Sequence, residues 1–160
     1  LSKEGVQKNQ PTLTNTNWYN LYKKCKSLNA SEKVESRMIW GCQWDVTCDF
    51  IANKGEQKSI RYSSSWGNYS DSTTPANTGN YEKKIKKNTG SNEYWKANNI
   101  YDLAGNCFEW TQEVYSTVSR AYRGSNCLSS GSIYPASDRD GYFGSPDKRR
   151  IQRDAVLVPL

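Results

Sequence analysis

The stretch NIYDLAGNCFEW (99–110) sets two carboxylates, Asp102 and Glu109, seven residues apart around Gly105. Carboxylates so placed can ligate a hard cation such as calcium, form half of an acid–base pair, or simply cap amides in a well-made turn. Ala104-Gly105-Asn106 is good turn chemistry, and Tyr101, Leu103, Phe108 and Trp110 alternate on either side of it. That pattern predicts two strand-like runs forming a hairpin, with Asp102 and Glu109 brought together across the turn. Other chemistry is restricted because the chain has no histidine. Ser–His–Asp and Cys–His nucleophile pairs, imidazole bases and His-ligated metals are thereby excluded. Five cysteines, at 25, 42, 48, 107 and 127, are an odd number without a C-x-x-C pair. That is a poor disulfide framework and a poor zinc site, and it fits a reducing compartment.

The elements that must position these groups are only partly periodic. In NTNWYNLYKKCKSLN (15–29), Trp18, Leu21, Tyr22, Cys25 and Leu28 recur at helical spacing behind a Thr16 or Asn17 cap. The stretch 38–55 reads as a short apolar lead-in and a second helix. Trp44, Cys48 and Ile51 line its inner face, and Asn53-Lys54-Gly55 stop it. Cys25 and Cys48 are core on this reading. Residues 56–98 are poor in aliphatics and rich in Ser, Asn, Gly, Thr and Lys, with Trp66, Tyr69, Tyr81, Tyr94 and Trp95 as candidate pins. From 99 onward short apolar runs alternate with turns, ending in AVLVPL, which predicts short strands.

With 160 residues the chain suits a single α+β domain behind an extended lead-in at 1–12. Its hydrophobic fraction is only 35%, so the core must lean on six Trp and eleven Tyr. The net charge of +6 is mild, and its one dense run, Lys83, Lys84, Lys86 and Lys87, reads as a solvated face, not a phosphate track. Neither nucleic acid binding nor membrane insertion is expected, since no apolar run approaches the ~18 residues a span needs. The opening LSKEGVQKNQPTL has no apolar signal core and no initiator Met, as expected of a piece trimmed from a longer chain. The sequons at Asn29 and Asn68 matter only in a secreted eukaryotic chain.

The order of these pieces resembles the formylglycine-generating, sulfatase-modifying-factor type of C-type-lectin fold. TNTNWYNLYKKCKSL is similar to that family's first helix, and MIWGCQWDV takes the place of its L-P-T-E-A-E-W-E-Y, with Trp44 on the family's Trp. NEYWKANNIYDLAGNCFEWT follows N-x-x-G-L-Y-D-M-x-G-N-V-W-E-W almost residue for residue, RAYRGSNC resembles R-V-x-R-G-G-S-W, and YPASDRD resembles the following R-x-A-x-R segment. The resemblance implies two helices, short antiparallel strands and long irregular loops. It also implies a structural calcium ion on Asp102, Glu109 and the carbonyls of Gly105 and Cys107.

Two departures weigh against the family's oxidase activity, which uses two cysteines after the R-G-G-S segment. The corresponding RGSNCLSSGSIYPASDR offers Cys127 alone, so copper is not expected. The family's terminal G-F-R strand is replaced by RIQRDAVLVPL. Non-enzymatic members of the fold are display scaffolds, among them variable proteins diversified by phage and bacterial retroelements, and 125–151 resembles their variable segment. Gly124, Pro135, Ala136, Ser137 and Arg139 look like framework between positions of arbitrary type. Tyr with Ser, Gly and Asn is also a binding-surface composition. The resemblance therefore implies a ligand-binding protein of a phage particle or bacterial surface, cytoplasmic before assembly, that recognises a protein or glycan on a target. Tyr134, Tyr142 and Phe143 would anchor the ligand, with Asn126, Leu128, Ile133, Asp138, Asp140, Arg149 and Arg150 around them. Trp44, Trp110 and Arg139 would be framework. The alternatives are a formylglycine-generating-type oxidase, active or degenerate, and a structural tail or surface domain without a specific ligand.

Overall fold

Asn17 starts the first helix by accepting the Asn20 amide on its side-chain oxygen at 2.9 Å. The helix, α1, runs Trp18–Ser27 and buries Leu21 and Cys25. The second, α2 (Gly41–Asn53), opens with Gln43 accepting the Trp40 amide at 2.8 Å, and buries Trp44, Cys48 and Ile51. Both inner faces are the ones their apolar spacing predicts. These elements belong to a computed structural model that describes residues 8–28, 33, 35–74, 83–143 and 155–156. Tyr81, Arg149, Arg150 and most of the lead-in lie outside the described residues.

The architecture is mixed α+β, with two helices and small, mainly antiparallel sheets. Strands β1 (Lys96–Ala97) and β2 (Ile100–Tyr101) form a two-stranded ladder. A second sheet combines β3 (Phe108–Ser116), β4 (Ser119–Arg123), β5 (Arg139–Phe143) and β6 (Ala155–Val156) in the order β5-β4-β3-β6. Its pairs are antiparallel except for β6, which lies parallel to β3 opposite Phe108 and Glu109. That short pairing is where the terminal apolar run contributes its strand.

Register assigns the two faces of this sheet. Trp110 lies opposite Tyr122, and Tyr122 opposite Asp140, so these side chains share a face. Phe108, Trp110 and Tyr122 pack there with Leu21 and Cys25 of α1 and with Met38. The other face carries Glu109 opposite Arg123, and Arg123 opposite Arg139. Two like charges face each other in that last pair, and Glu113 lies between them, 3.6 Å from Arg123 and 2.6 Å from Arg139. The buried Arg123 also pairs with Asp45 of α2, tying helix to sheet. A second core unites Trp44, Cys48 and Ile51 with Trp66, Tyr69, Leu103 and Ala136. Trp66, Tyr69 and Trp95 are buried pins of the irregular middle segment, whereas Tyr94 is exposed.

The region around Gly105 differs from the expected hairpin. β2 ladders with β1, and β3 with β4, so the runs on either side of Gly105 join different sheets. Leu103 enters the α2 core while Phe108 and Trp110 enter the α1 core. Alternation did not pick out the buried residues: Tyr101 and Phe108 are only partly buried, while Asp102, Ala104, Cys107 and Glu109 between them are buried. Local spacing also cannot say that two runs bury against two different layers.

Candidate functional site

The chain turns at 102–106 through three left-handed residues, Asp102 (φ 58°), Gly105 (φ 75°) and Asn106 (φ 63°). Glycine is required at 105 because a Cβ there would overlap the Asn68 carbonyl. Buried Asn68 clamps the turn. Its amide donates to Ala104 O at 3.2 Å, its carbonyl accepts from Asn106 N at 2.8 Å, and its Nδ2 donates to Asn106 Oδ1 at 3.0 Å. Gly105 N donates to Gly124 O at 2.8 Å, fastening the turn to the end of β4.

Asp102 and Glu109 are both buried within this frame. Asp102 Oδ2 accepts the Gly90 amide at 2.7 Å, but its Oδ1 and Glu109 Oε2 have no partner among the described residues. Two neutral oxygens beside the turn, Asn68 Oδ1 and Ser125 Oγ, are in the same condition. Unpartnered buried oxygens are costly, and each demands an explanation. Burial pushes the Asp102 carboxyl up to about 6. It raises Glu109 well above the carboxylate range, and the nearby charge of Asp102 adds to that rise. Gly105 O accepts from Cys107 N at 2.8 Å, leaving one lone pair available. No group of three His, Cys, Asp or Glu side chains is gathered anywhere among the described residues. The oxygens beside the turn belong to two carboxylates and to neutral groups, donor types that suit calcium better than zinc or copper.

The second region of interest is the loop between β4 and β5. Asn126 is buried, and its Oδ1 accepts from Leu128 N, Ser129 N and Ser129 Oγ at 3.0–3.1 Å. That geometry makes it an internal organiser of the loop, with its Oδ1 engaged inside the domain. Asp71 receives Ser130 Oγ and Gly131 N at 2.7 Å and Ser132 Oγ at 2.9 Å. Ser129 O accepts both the amide and the hydroxyl of Ser70 at 2.9 Å. Ser63 binds Gly131 O through its amide at 3.1 Å and the Ala136 amide through its Oγ at 2.8 Å. Trp44 Nε1 closes the set on Ala136 O at 3.0 Å.

Small and polar residues thus hold the loop from within, and large ones point outward. Leu128, Ile133 and Tyr134 are exposed. Asp138 is half-buried, and Asp140 on β5 accepts the Tyr122 hydroxyl at 3.0 Å. Tyr142 is partly exposed at the rim of the aromatic face, its ring 6.5 Å from that of Trp110. Phe143 ends β5 opposite Ser119, and its side chain lies outside the described residues. The expected ligand residues therefore divide between an outward loop and a sheet edge. Framework expectations fare differently. Trp44, Trp110 and Ala136 are fully buried, and Arg139 is partly exposed while bonded to Glu113.

Sequence reasoning missed Asp71 and Ser63, and it marked Tyr69 as a candidate pin without the role of its ring, which leaves no room for a side chain at Gly131. All three lie in the stretch read as a long pinned connection, and nothing local in it announces that it braces a loop about sixty residues later. Cys107 and Cys127 are buried and in no disulfide, and burial pushes the Cys25 and Cys48 thiols up to about 11 and 12. Compared with family models, curated proteins and solved structures, the chain matches none.

Proposed function

We propose that this chain is a ligand-binding module: a C-type-lectin-like scaffold that presents the β4–β5 loop as its recognition surface. Its kind would be the retroelement-diversified variable protein of a phage particle or bacterial surface. The observation that carries the reading is the division of labour in residues 126–137. Backbone and small polar side chains are bonded inward, to Asp71, Ser63, Ser70 and Trp44, while Leu128, Ile133 and Tyr134 face solvent. A loop held in this way loses little conformational entropy on binding, which favours affinity. It also allows outward side chains to change without disturbing the core, since exposed substitutions rarely cost more than about 0.5 kcal/mol.

Calcium belongs to the same reading as a structural ion. Asp102 and Glu109, with the carbonyls of Gly105 and Cys107, would hold it, and the unpartnered Asp102 Oδ1 and Glu109 Oε2 fit that role. When bound, the ion would supply the positive charge that two buried carboxylates lack.

The reading is tested by randomising 128, 133 and 134 together and scoring each variant for folding and for binding to targets selected on that library. Most variants are expected to melt near the parent, and binding is expected to follow sequence at the three positions. Collapse of the fold in most variants would remove the proposal.

A further inference from the structure

The recognition loop has a neighbour that the C-terminal segment does not include. Residues 59–65 are stitched to it by the Ser63 amide on Gly131 O, the Ser64 and Ser132 hydroxyls at 3.2 Å, and the Ser63 hydroxyl on the Ala136 amide. Tyr62, next in sequence to the stitched Ser63, is 67% exposed, and on the partner loop Ile133, which follows the stitched Ser132, is 69% exposed, with Leu128 at 59% and Tyr134 at 50%. Arg61, next to Tyr62, is exposed and forms no ion pair or hydrogen bond among the described residues. Its neighbour Lys58 is paired with Glu56 at 3.5 Å.

Resting on the ligand-binding reading above, we infer that Tyr62 and Arg61 complete the recognition surface and that its partner is a protein presenting apolar side chains flanked by carboxylates, not a glycan. Sugars are recognised through several free hydrogen-bonding groups placed around an aromatic platform. Here the polar groups between the aromatics are turned inward. Asp71 is filled by Ser130, Gly131 and Ser132, and the Ser63 and Ser70 hydroxyls bond within the domain. What remains outward is two tyrosines, a residue enriched at protein hot spots, and two aliphatic side chains that offer a sugar no hydrogen bond. Among the described residues, the Arg61 guanidinium next to Tyr62 is a charge without an ion pair or hydrogen bond, on a chain of net charge +6. Such a surface complements an acidic rim and discriminates against a basic one.

The test uses a displayed library of random linear peptides selected on the whole chain, with a neutral glycan array probed in parallel. Enriched peptides should combine large apolar residues with Asp or Glu. Their affinity should fall about tenfold or more in Tyr62→Ala and in Arg61→Glu, with the melting temperature unchanged in Arg61→Glu. Replacing the acidic residues of a peptide by Lys should restore its binding to Arg61→Glu. The inference is overturned if no peptide enriches, if affinity ignores both substitutions, or if glycans bind in a Tyr62-dependent way. Loss of binding in Leu128→Ser and Ile133→Ser with Tyr62→Ala and Arg61→Glu silent overturns this inference alone. Indifference to all four removes the parent reading as well.

Discussion

Asp102 is ionised at a lower pH in the unfolded chain, near its ordinary 3.8, than in the folded one, where burial raises it to about 6. Between those values the folded state holds the extra proton, so stability falls as pH rises through that window. At about 1.4 kcal/mol per pKa unit the loss is roughly 3 kcal/mol by neutral pH, and the raised Glu109 extends it upward. A calcium ion on these carboxylates would reverse the sign by favouring their charged forms. Melting curves at pH 4.5 and 7.5, with excess calcium or chelator, separate the cases. Calcium is expected to raise the melting temperature at the higher pH and do little at the lower one. Equal curves with calcium and chelator at pH 7.5 would leave the turn without its ion. Gly105→Ala should be damaging with or without metal, by about 2 kcal/mol or more, because a left-handed φ and the Asn68 carbonyl both oppose a side chain. Chemical denaturation measures it, and a neutral result would show that the turn relaxes freely.

At the level of elements, the helices were legible and the bracing of the loops was not. Trp18, Leu21, Cys25 and Trp44, Cys48, Ile51 announce their buried faces because a helix repeats its environment every three or four residues. Short strands carry no such repetition, and so Gly105 looked like a hairpin turn when it joins two sheets. The carboxylate pair could be read from sequence, while Asp71 could not, because its meaning lies in Ser130, Gly131 and Ser132. Burial opposes ionisation of Asp71, but those donors outweigh it and hold the carboxyl well below the usual range. Stability from that bracing is present above the unfolded carboxyl pKa and is lost as pH falls below it. Asp71→Ala should cost about 1–2 kcal/mol through donors left unpaired. It should also speed amide exchange at Gly131 and Ser63 while leaving Thr111 and Ala121, inside the β3–β4 pair, protected. Protection at Gly131 unchanged from the parent would mean that Asp71 does not hold the loop.

The whole molecule divides residues that must not change from residues that can, and the boundary does not follow the chain. Within 125–138, Asn126, Gly131 and Ala136 are interior, while Leu128, Ile133 and Tyr134 are exterior only a few residues away. The two aromatic cores sharpen the contrast. Trp44 and Trp110 are wholly buried, and truncating either to Ala is expected to cost about 3–5 kcal/mol, a large part of the stability of a domain this size. Serine at 128, 133 and 134 together should shift stability by no more than about 0.5 kcal/mol per site. If retroelement diversification produced this surface, sequencing many isolates of the same locus should find variation at 128, 133 and 134. The same survey should find constancy at 126, 131 and 136, although all six share one segment. A merely tolerant polar loop would show differences scattered over every exposed region, the α2 surface residues Val46 and Phe50 included. Variation at Gly131 would be the most damaging result. A side chain there must displace the Tyr69 ring, and the bracing from which the binding surface is inferred would be lost with it.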